Sequence, residues 1–259
     1  MKAIELYNAL CEQIPASLSC EWDHDGLESC PTPEKEVKRV LVALDVTDEV
    51  IDKAVDEKFD VIASHHPIFF GQLENVNATC IKGARAVRLA KNDISVMSFH
   101  TRLDALEGGV NDTLARKMGL ENIEIVEADS DGIMRIGELS KECPAEQFAA
   151  RVKAALSTGE SEATVILSPS GKCVRRVALI GGGGGKFIGI AKEAGADTYV
   201  TGDMGYHDYL SAAEREMNLI TAGHFHTEFP VCAVLGDKIK AICPDADVEI
   251  FCSDRMKTF

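Results

Sequence analysis

Two strand–helix–strand stretches of the 259-residue chain match each other without a gap, and this repeat restricts the folds available to the chain. Val40 and Val177 stand 137 positions apart, and the same offset sets His66 opposite Asp203. In both stretches apolar runs flank an amphipathic segment, which is typical of parallel βαβ units with right-handed crossovers. Short βαβ units also resemble one another by chance, but a gapless match over the whole unit favours an internal duplication.

Two adjacent histidines follow the second strand of the first repeat. Residues 61–63 are an apolar run that predicts a buried strand, and His65, His66 and Pro67 follow it closely. Ligands of open α/β sheets bind at the carboxyl ends of the strands. Two neutral imidazoles held there by one strand can serve two different metal ions, whereas the plainer alternative is a pair of surface histidines.

A second repeated pattern places a carboxylate four residues after a histidine. His100 precedes Asp104, and His224 precedes Glu228, each after a predicted strand. If the two halves face each other, three imidazoles and two carboxylates converge on one cleft, which suits two ions rather than one tetrahedral ion. Nitrogen and oxygen ligands without thiolate favour zinc, manganese, iron or cobalt. The predicted metal ligands are His65, His66, Asp104, His224 and Glu228.

Further polar residues lie close to these positions. His100 is predicted to orient a ligand or to act as a general base, because groups that bind metal need orienting partners. His207 and Asp203 follow the matching strand of the second half, where they bind substrate, transfer protons or have a structural role. We take His100 and His207 as the candidate catalytic residues. His226 diverges from His224 if the segment is helical and joins it if extended, and we expect it to contact substrate.

Five consecutive glycines, residues 181–185, precede Lys186. No Ser or Thr follows Lys186 as in a phosphate-binding loop, and Lys186 stands where the dinucleotide pattern has its third glycine. Backbone amides at a helix start can still hold an anion. We expect instead a close strand-to-helix turn in which side chains do not fit.

Composition excludes several classes of protein. The formal net charge of −15 argues against binding bulk nucleic acid or an anionic membrane surface, both of which need basic groups. The nine cysteines are an odd number without a Cys-x-x-Cys pair, which favours reduced thiols in a cytoplasmic protein. The amino-terminal segment has the periodicity of an amphipathic helix rather than a signal peptide, and no apolar run reaches membrane-spanning length.

The order of these motifs predicts an α/β protein with three segments. Residues 1–128 are the first α/β half, with the His-His and His-x-x-x-Asp motifs. Residues 129–173 are a connecting segment or a small second layer without visible chemistry. Residues 174–259 are the second α/β half, with the His-x-x-x-Glu motif. The metal site is expected in the cleft between the two halves.

These motifs resemble those of the NIF-three-like dinuclear metal proteins, also known as GTP cyclohydrolase I type 2 homologues. The resemblance covers nearly the whole chain, and the motifs occur in the family's order. An amino-terminal signature, Trp22-Asp23-x-x-Gly26-Leu27, is similar as well, with His24 where the family usually has Asn. The motifs are Ser64-His65-His66-Pro67, His100-Thr101-x-x-Asp104, Gly108-Gly109-Val110-Asn111-Asp112, Thr201-Gly202-Asp203, Tyr206-His207-Asp208 and Gly223-His224-x-x-x-Glu228.

The resemblance implies two similar, intertwined three-layer α/β/α halves, a pair of divalent ions per chain and a ring-shaped homohexamer. By motif position it implies the same five metal ligands. The expected function is a metal-dependent hydrolase acting on a nucleotide or phosphoester, including opening of a purine ring as in a GTP cyclohydrolase. Two alternatives stay open, namely a metal-handling protein that delivers ions without catalysis, and a ring-shaped scaffold in which the ions only join the halves.

Overall fold

The computed structural model describes residues 1–71, 75–159 and 161–256, and these form helices and strands in alternation. The α-helices are α1 Ala3–Gln13, α2 Asp48–Asp56, α3 Ile81–Lys91, α4 Thr101–Ala105, α5 Val110–Lys117, α6 Ala145–Leu156, α7 Ile188–Glu193, α8 Tyr206–Glu214, α9 His224–Glu228 and α10 Val231–Ile242. The strands are β1 Leu27–Ser29, β2 Arg39–Ala43, β3 Val61–Ser64, β4 Ser95–Ser98, β5 Glu121–Ile125, β6 Arg135–Cys143, β7 Ile166–Ser168, β8 Val174–Ile180, β9 Thr198–Thr201, β10 Asn218–Thr221 and β11 Asp247–Ile250.

The chain forms two compact units, and each is built from two separate stretches. Unit 1 contains Met1–Leu103 and Val231–Ser253. Unit 2 contains Asp104–Pro230 and the described residues from Asp254 onward. The predicted segments 1–128, 129–173 and 174–259 are based on the sequence repeat, and this division stays a prediction. The bounds of the two compact units differ from those of the segments.

Unit 1 is a mostly parallel sheet with helices against it. Its strand order is β1-β4-β3-β2-β11, in which only β1 runs antiparallel to its neighbour among the described residues. The central strand β3 is buried throughout, as its apolar run predicts. Helices α2 and α3 pack on one face over a core that includes Leu41, Ile62 and Val96. Helix α10 packs against α1, β2 and β11 and supplies the third layer.

Local sequence explains where the helices of unit 1 begin. Thr47 accepts a hydrogen bond from the backbone N–H of Val50 and so caps the amino terminus of α2. Helix α3 spans Ile81–Lys91. The sequence of residues 71–80 indicates a loop, of which 72–74 lie outside the described residues.

Unit 2 is a six-stranded mixed sheet with a core on each face. Its strand order is β5-β6-β8-β9-β10-β7, with β8, β9 and β10 parallel. Alternate residues of β8 enter different cores: Val177 and Leu179 join one with α5 and α6, while Ala178 and Ile180 join the other with α7 and α8. A three-layer α/β/α arrangement follows.

Two stretches of chain take places that the sequence pattern does not predict. Residues 129–173 supply β6, α6 and β7 to the sheet of unit 2, since β6 pairs with β8 and β7 with β10. They are therefore part of that unit rather than a plain connection. Helix α10 and strand β11, predicted as the end of the second half, belong to unit 1 because β11 pairs with β2.

The central strands of each sheet pair in an equivalent register. Val40 of β2 pairs with Val61 of β3, and Val177 of β8 pairs with Thr198 of β9. Both members of the second pair lie 137 positions after those of the first. The repeat predicted from sequence thus coincides with equivalent strand pairing.

Matching backbone contacts accompany this register. Asp60 accepts hydrogen bonds from the backbone N–H of Arg39 and of the residue before it. Asp197 does the same for Arg176 and the residue before it. The duplication itself stays a prediction, and these contacts support it.

None of the helices in the described part of the chain combines the length and the apolar character that a membrane crossing needs.

Candidate metal centre

His65 and His66 follow β3 at its carboxyl end and are buried, with 0% and 6% of their surface exposed. The Nδ1 atom of His65 lies 3.0 Å from the carbonyl oxygen of Phe99. The Nδ1 atom of His66 lies 2.8 Å from a carboxylate oxygen of Asp45. Because these oxygens only accept hydrogen bonds, each Nδ1 carries the proton and each Nε2 keeps the lone pair. This tautomer is the one in which Nε2 can bind a divalent metal.

His100 joins these two histidines at the carboxyl end of the neighbouring strand β4. Its ring centroid lies 5.3 Å from that of His65 and 5.5 Å from that of His66. One nitrogen atom from each of the three rings lies within 4.8 Å of the others, a grouping that can hold a metal ion. The sequence predicts an orienting or proton-transfer role for His100, and the structure adds that it is placed as a third imidazole of unit 1.

Asp23 fixes the ring of His100 from the loop after α1. Its Oδ2 atom lies 3.1 Å from Nδ1 of His100 and accepts hydrogen bonds from the backbone N–H and the hydroxyl of Thr101. Burial opposes ionisation of Asp23, but the hydrogen bonds from His100 and Thr101 outweigh it and hold the pKa of this carboxyl well below its usual range. An ionised Asp23 keeps the proton on Nδ1, so Nε2 is again the basic nitrogen.

A buried ion pair holds the same loop in place. Arg102 donates from Nε to Asp25 at 2.8 Å, and both side chains are buried. The same Oδ2 atom of Asp25 also accepts a hydrogen bond from the backbone N–H of His100 at 2.7 Å. The loop that carries Asp23 is therefore bonded to residues of the predicted His-x-x-x-Asp motif.

In unit 2, His224 and Glu228 face each other across one turn of α9. Nδ1 of His224 lies 2.7 Å from Oδ2 of Asp203, and its Nε2 lies 3.2 Å from Oε2 of the buried Glu228. With the Nδ1 proton directed to Asp203, a neutral imidazole would turn its Nε2 lone pair toward a carboxylate. The contact therefore needs a positive charge, which a proton on Nε2 or a bound metal ion supplies.

Asp104 lies at the start of unit 2, and its backbone is fixed by Asn111. The Asn111 amide donates to the carbonyl oxygen of Asp104 at 3.2 Å. Its own oxygen accepts from the backbone N–H of Gly181 at 2.8 Å. The motif residue Asn111 thus links the predicted ligand Asp104 to the glycine turn after β8.

The glycine run forms the close turn that its sequence predicts. Gly182 has a φ of +63°, and a side chain at this position would overlap the carboxylate of Glu228. A Cβ atom on Gly184 would overlap the hydroxyl groups of Tyr199 and Thr201. Glycine is needed here because the backbone passes directly against polar side chains of α9 and β9.

The surroundings of His226 and His207 bear on the roles predicted for these residues. His226 is buried in helical α9, where its Nε2 lies 2.9 Å from the hydroxyl of Ser161 and 3.6 Å from Asp254. The segment is helical, so His226 diverges from His224 as expected for a helix, and its burial does not favour the substrate contact, which stays a prediction. His207 is exposed at the start of α8, with its ring 5.4 Å from that of Tyr206.

The functional residue that the sequence reasoning missed is Asp45. It follows β2 after one intervening residue, so its position near a strand end was available as a signal. Asp45 relates to His66 as Asp203 relates to His224, because each carboxylate accepts a hydrogen bond from Nδ1–H of its histidine. Such carboxylate–imidazole pairs are the usual support of metal-binding histidines.

The donor set fits divalent transition metals. Each unit presents imidazoles whose Nδ1 atom is held by an acceptor oxygen, and unit 2 adds a buried carboxylate. Such nitrogen and oxygen donors suit zinc, manganese, iron and cobalt.

Comparison with known proteins agrees with this fold. The GTP cyclohydrolase 1 type 2 homolog of Clostridium perfringens (strain 13 / Type A) is 33% identical over 261 aligned residues, covering 99% of this chain and 98% of that protein. A Bacillus cereus protein related to NIF3 superposes with a TM-score of 0.86 at 25% identity, over 100% of this chain and 99% of that one. Reduced HcgD from Methanocaldococcus jannaschii superposes with a TM-score of 0.83 at 28% identity, over 96% and 97% of the two chains.

Fold and side chains together define an α/β protein with groups that can hold metal ions at its strand ends. The family model Duf34/NIF3 (NGG1p interacting factor 3) matches residues 1–258, and the chain belongs to this family. The resemblance inferred from the motifs and the α/β fold class are thereby confirmed.

Proposed function

We propose that this protein is a dinuclear metal-dependent hydrolase acting on a nucleotide or another phosphoester. The observation that carries the proposal is the enforced tautomer of His65 and His66. The Phe99 carbonyl and the Asp45 carboxylate hold the Nδ1 protons, so two buried imidazoles keep Nε2 as the metal-binding atom. A pair of surface histidines needs no such support.

The proposed ligands of two divalent ions are the five predicted from sequence: His65, His66, Asp104, His224 and Glu228. The ions are zinc, manganese, iron or cobalt by the chemistry of the donors. Glu228 would hold a metal ion together with His224, because its carboxylate already faces the imidazole of its own helix. In unit 1, His100 is close enough to His65 and His66 to complete a ligand set or to serve beside it.

The reaction follows from the roles that these side chains can take. Divalent ions supply a Lewis acid and a water molecule whose pKa is lowered toward neutrality. With metal bound, His100 would serve as the general base at the site, and the ionised Asp23 would stabilise its imidazolium. His207, exposed on α8, is the candidate for a second proton transfer. The name of the bacterial relatives points to hydrolytic opening of the guanine ring of GTP as the first reaction to test.

The test is ion content followed by turnover. Protein purified without chelators is analysed for metal and is expected to hold about two ions per chain. It is then incubated with GTP and a phosphoester panel under saturating manganese, zinc, iron or cobalt. His65→Ala is expected to lose bound metal and turnover together, because it removes a ligand and leaves the pair incomplete.

Controls separate metal loss from unfolding. His24→Ala removes an exposed histidine of the same unit and is expected to keep the full metal content. Circular dichroism checks that both variants are folded. Turnover that persists unchanged in folded His65→Ala would contradict the hydrolase proposal, whereas metal binding without turnover on any substrate would favour a metal-handling protein.

The assembly and its location complete the proposal. We propose a homohexamer in the cytoplasm, on the basis of family membership and of nine cysteines without a disulfide framework. Light scattering after size-exclusion chromatography tests the hexamer, and a monomer at micromolar concentration would contradict it.

A further inference from the structure

Two exposed aromatic side chains flank the histidine cluster of unit 1. Trp22 and Phe70 have 59% and 55% of their surface exposed, and both contact the ring of His100. The ring centroid of His100 lies 5.9 Å from that of Trp22 and 5.6 Å from that of Phe70, with edge-to-face geometry in both pairs. Phe70 also lies 5.9 Å from the ring of His66. Large aromatic side chains exposed beside polar groups commonly mark binding sites.

The loop that carries Trp22 is held rigidly. The backbone N–H of Cys20 donates to the Thr101 hydroxyl at 2.9 Å, and that of Gly26 donates to the Ser98 hydroxyl at 3.2 Å. Between them, Asp23 binds the backbone and hydroxyl of Thr101. Trp22 therefore exposes its ring from a fixed backbone, so a ligand does not have to order the loop first.

Phe70 lies on a second fixed segment. The partly buried carboxylate of Glu28 accepts hydrogen bonds from the backbone N–H groups of Ile68 and Phe69, at 2.9 and 3.2 Å. Lys82 donates to the carbonyl oxygen of Phe70 itself. Both exposed rings therefore belong to segments whose backbone is held by hydrogen bonds.

A cavity of about 230 Å³ separates the two segments. Its lining combines backbone, carboxylate and imidazole groups with the phenyl ring of Phe69, and it comprises His24, Asp25, Gly26, Leu27, Glu28, Phe69 and Gly71. A partly polar molecule can therefore contact hydrogen-bonding groups and one phenyl ring there, next to the segments that carry Trp22 and Phe70.

We propose that Trp22 and Phe70 bind the planar ring of a nitrogen heterocycle and hold it beside His100. Aromatic side chains stack on any nucleobase because every base has a π face, whereas imidazoles and carboxylates serve its polar edge. The inference rests on the proposed function for its placement at the same site, but ring binding itself needs no bound metal. It assigns the two aromatic residues as specificity determinants.

The test uses the fluorescence of the only tryptophan in the chain, which is Trp22. Guanosine is titrated into the full-length protein after metal removal by a chelator and again with zinc added. We expect saturable quenching of Trp22 emission in both states, and no saturable change with ribose. Phe70→Ala is expected to weaken guanosine binding by roughly tenfold, while Phe70→Tyr keeps the affinity within about twofold.

Ile81→Ala is the matched control, because it removes another exposed apolar side chain of unit 1 and should leave binding unchanged. Trp22→Leu has no tryptophan emission, so its guanosine affinity is measured by calorimetry. A weaker affinity there shows that the indole ring itself contributes to binding. The proposal is overturned if guanosine gives no saturable quenching, if ribose quenches equally, or if Phe70→Ala binds as the wild type does. It is also overturned if the emission changes only with protein concentration, since self-association then covers the rings.

The outcomes distinguish this inference from the proposed function. Quenching by guanosine without any metal-dependent turnover supports the ring site and contradicts the hydrolase. Turnover that is lost in His65→Ala but unaffected in Phe70→Ala, with no quenching, contradicts the ring site and supports the hydrolase.

Discussion

At the scale of single residues, the candidate site depends on carboxylates that act through histidines. Asp45 and Asp203 accept hydrogen bonds from the Nδ1–H groups of His66 and His224, and Asp23 lies 3.1 Å from Nδ1 of His100. None of the three is among the predicted metal ligands. Their effect is to fix which nitrogen carries the lone pair and where the ring points.

Replacing Asp45 should therefore weaken metal binding without disturbing the fold. We expect Asp45→Ala to lower zinc affinity by about ten- to hundredfold, because His66 loses the acceptor that fixes its tautomer. Competition with a chromogenic chelator measures this. Asp56→Ala removes an exposed carboxylate from the same unit as a control, and equal affinities for the two variants would refute the orienting role.

The buried ion pair between Arg102 and Asp25 should matter far more than a surface pair. Arg102→Met leaves the Asp25 carboxylate buried beside an apolar group, and we expect a loss of about 3–5 kcal/mol in the free energy of unfolding. The exposed pair of Arg88 and Asp52 provides the contrast, since Arg88→Met should cost at most about 1 kcal/mol. Urea denaturation followed by circular dichroism compares them, and similar losses would contradict this ranking.

At the scale of elements, the site residues lie at strand ends, and the turns and loops that follow the strands fix their positions. The glycine run after β8 passes against Glu228, and the segment after Pro67 is held by Glu28. Both depend on a contact between the backbone and a buried or partly buried carboxylate. For each, a prediction distinguishes the effect of this contact from the general stability of the loop.

Neighbouring glycines in the turn should respond differently to alanine. Gly182→Ala meets the Glu228 carboxylate and needs a positive φ, so we expect it to lose about 1–3 kcal/mol of stability. Gly183 has open space around its Cβ position, so Gly183→Ala should stay within about 0.5 kcal/mol of the wild type. Thermal melting of both variants measures the difference. Equal melting temperatures would show that the turn tolerates a side chain at either position.

The loop anchor at Glu28 predicts a pH dependence of stability. Burial raises the pKa of this carboxyl above the value of 4.5 that it has when exposed, although hydrogen bonds from Ile68 and Phe69 oppose the shift. The folded state then holds a proton that the unfolded state releases. The contribution of Glu28 to stability is therefore fully present below pH 4.5 and is lost as pH rises through the raised pKa.

Glu28→Gln cannot ionise and should remove this dependence. We expect the unfolding free energy of the wild type minus that of Glu28→Gln to decrease as pH rises from 4.5 toward neutrality. The exposed Glu36→Gln serves as the control and should give a flat difference. A difference that grows with pH would mean that ionised Glu28 is the form that the fold prefers.

Much of this element structure could be predicted from sequence. Apolar runs identified β2, β3 and β8, and the offset between Val40 and Val177 anticipated the shared register. The place of β11 beside β2 could not be predicted, because the local pattern of β11 indicates a strand but not its partner. The pairing of Asp45 with His66 was missed for a similar reason, since a carboxylate after a strand has many other uses.

At the scale of the whole molecule, bound ions should stabilise the folded chain. Ligands that bind only the native state add a free energy that grows with the logarithm of their concentration, about 2.7 kcal/mol at a hundredfold excess over Kd. We therefore expect zinc to raise the melting temperature of the wild type and a chelator to lower it. His65→Ala should respond much less to either addition. Scanning calorimetry measures this, and a melting temperature unaffected by metal would contradict native-state binding.

The pairing of β11 with β2 has a consequence for how the protein is made. Residues 231–253 complete unit 1, but residues 104–230 are synthesised before them. A nascent chain that has left the ribosome as far as Leu103 still lacks α10 and the outer strand of its first sheet, so the edge of β2 stays open during translation. Folding of unit 1 must wait for almost the entire polypeptide, whereas most of unit 2 can condense earlier from one continuous stretch.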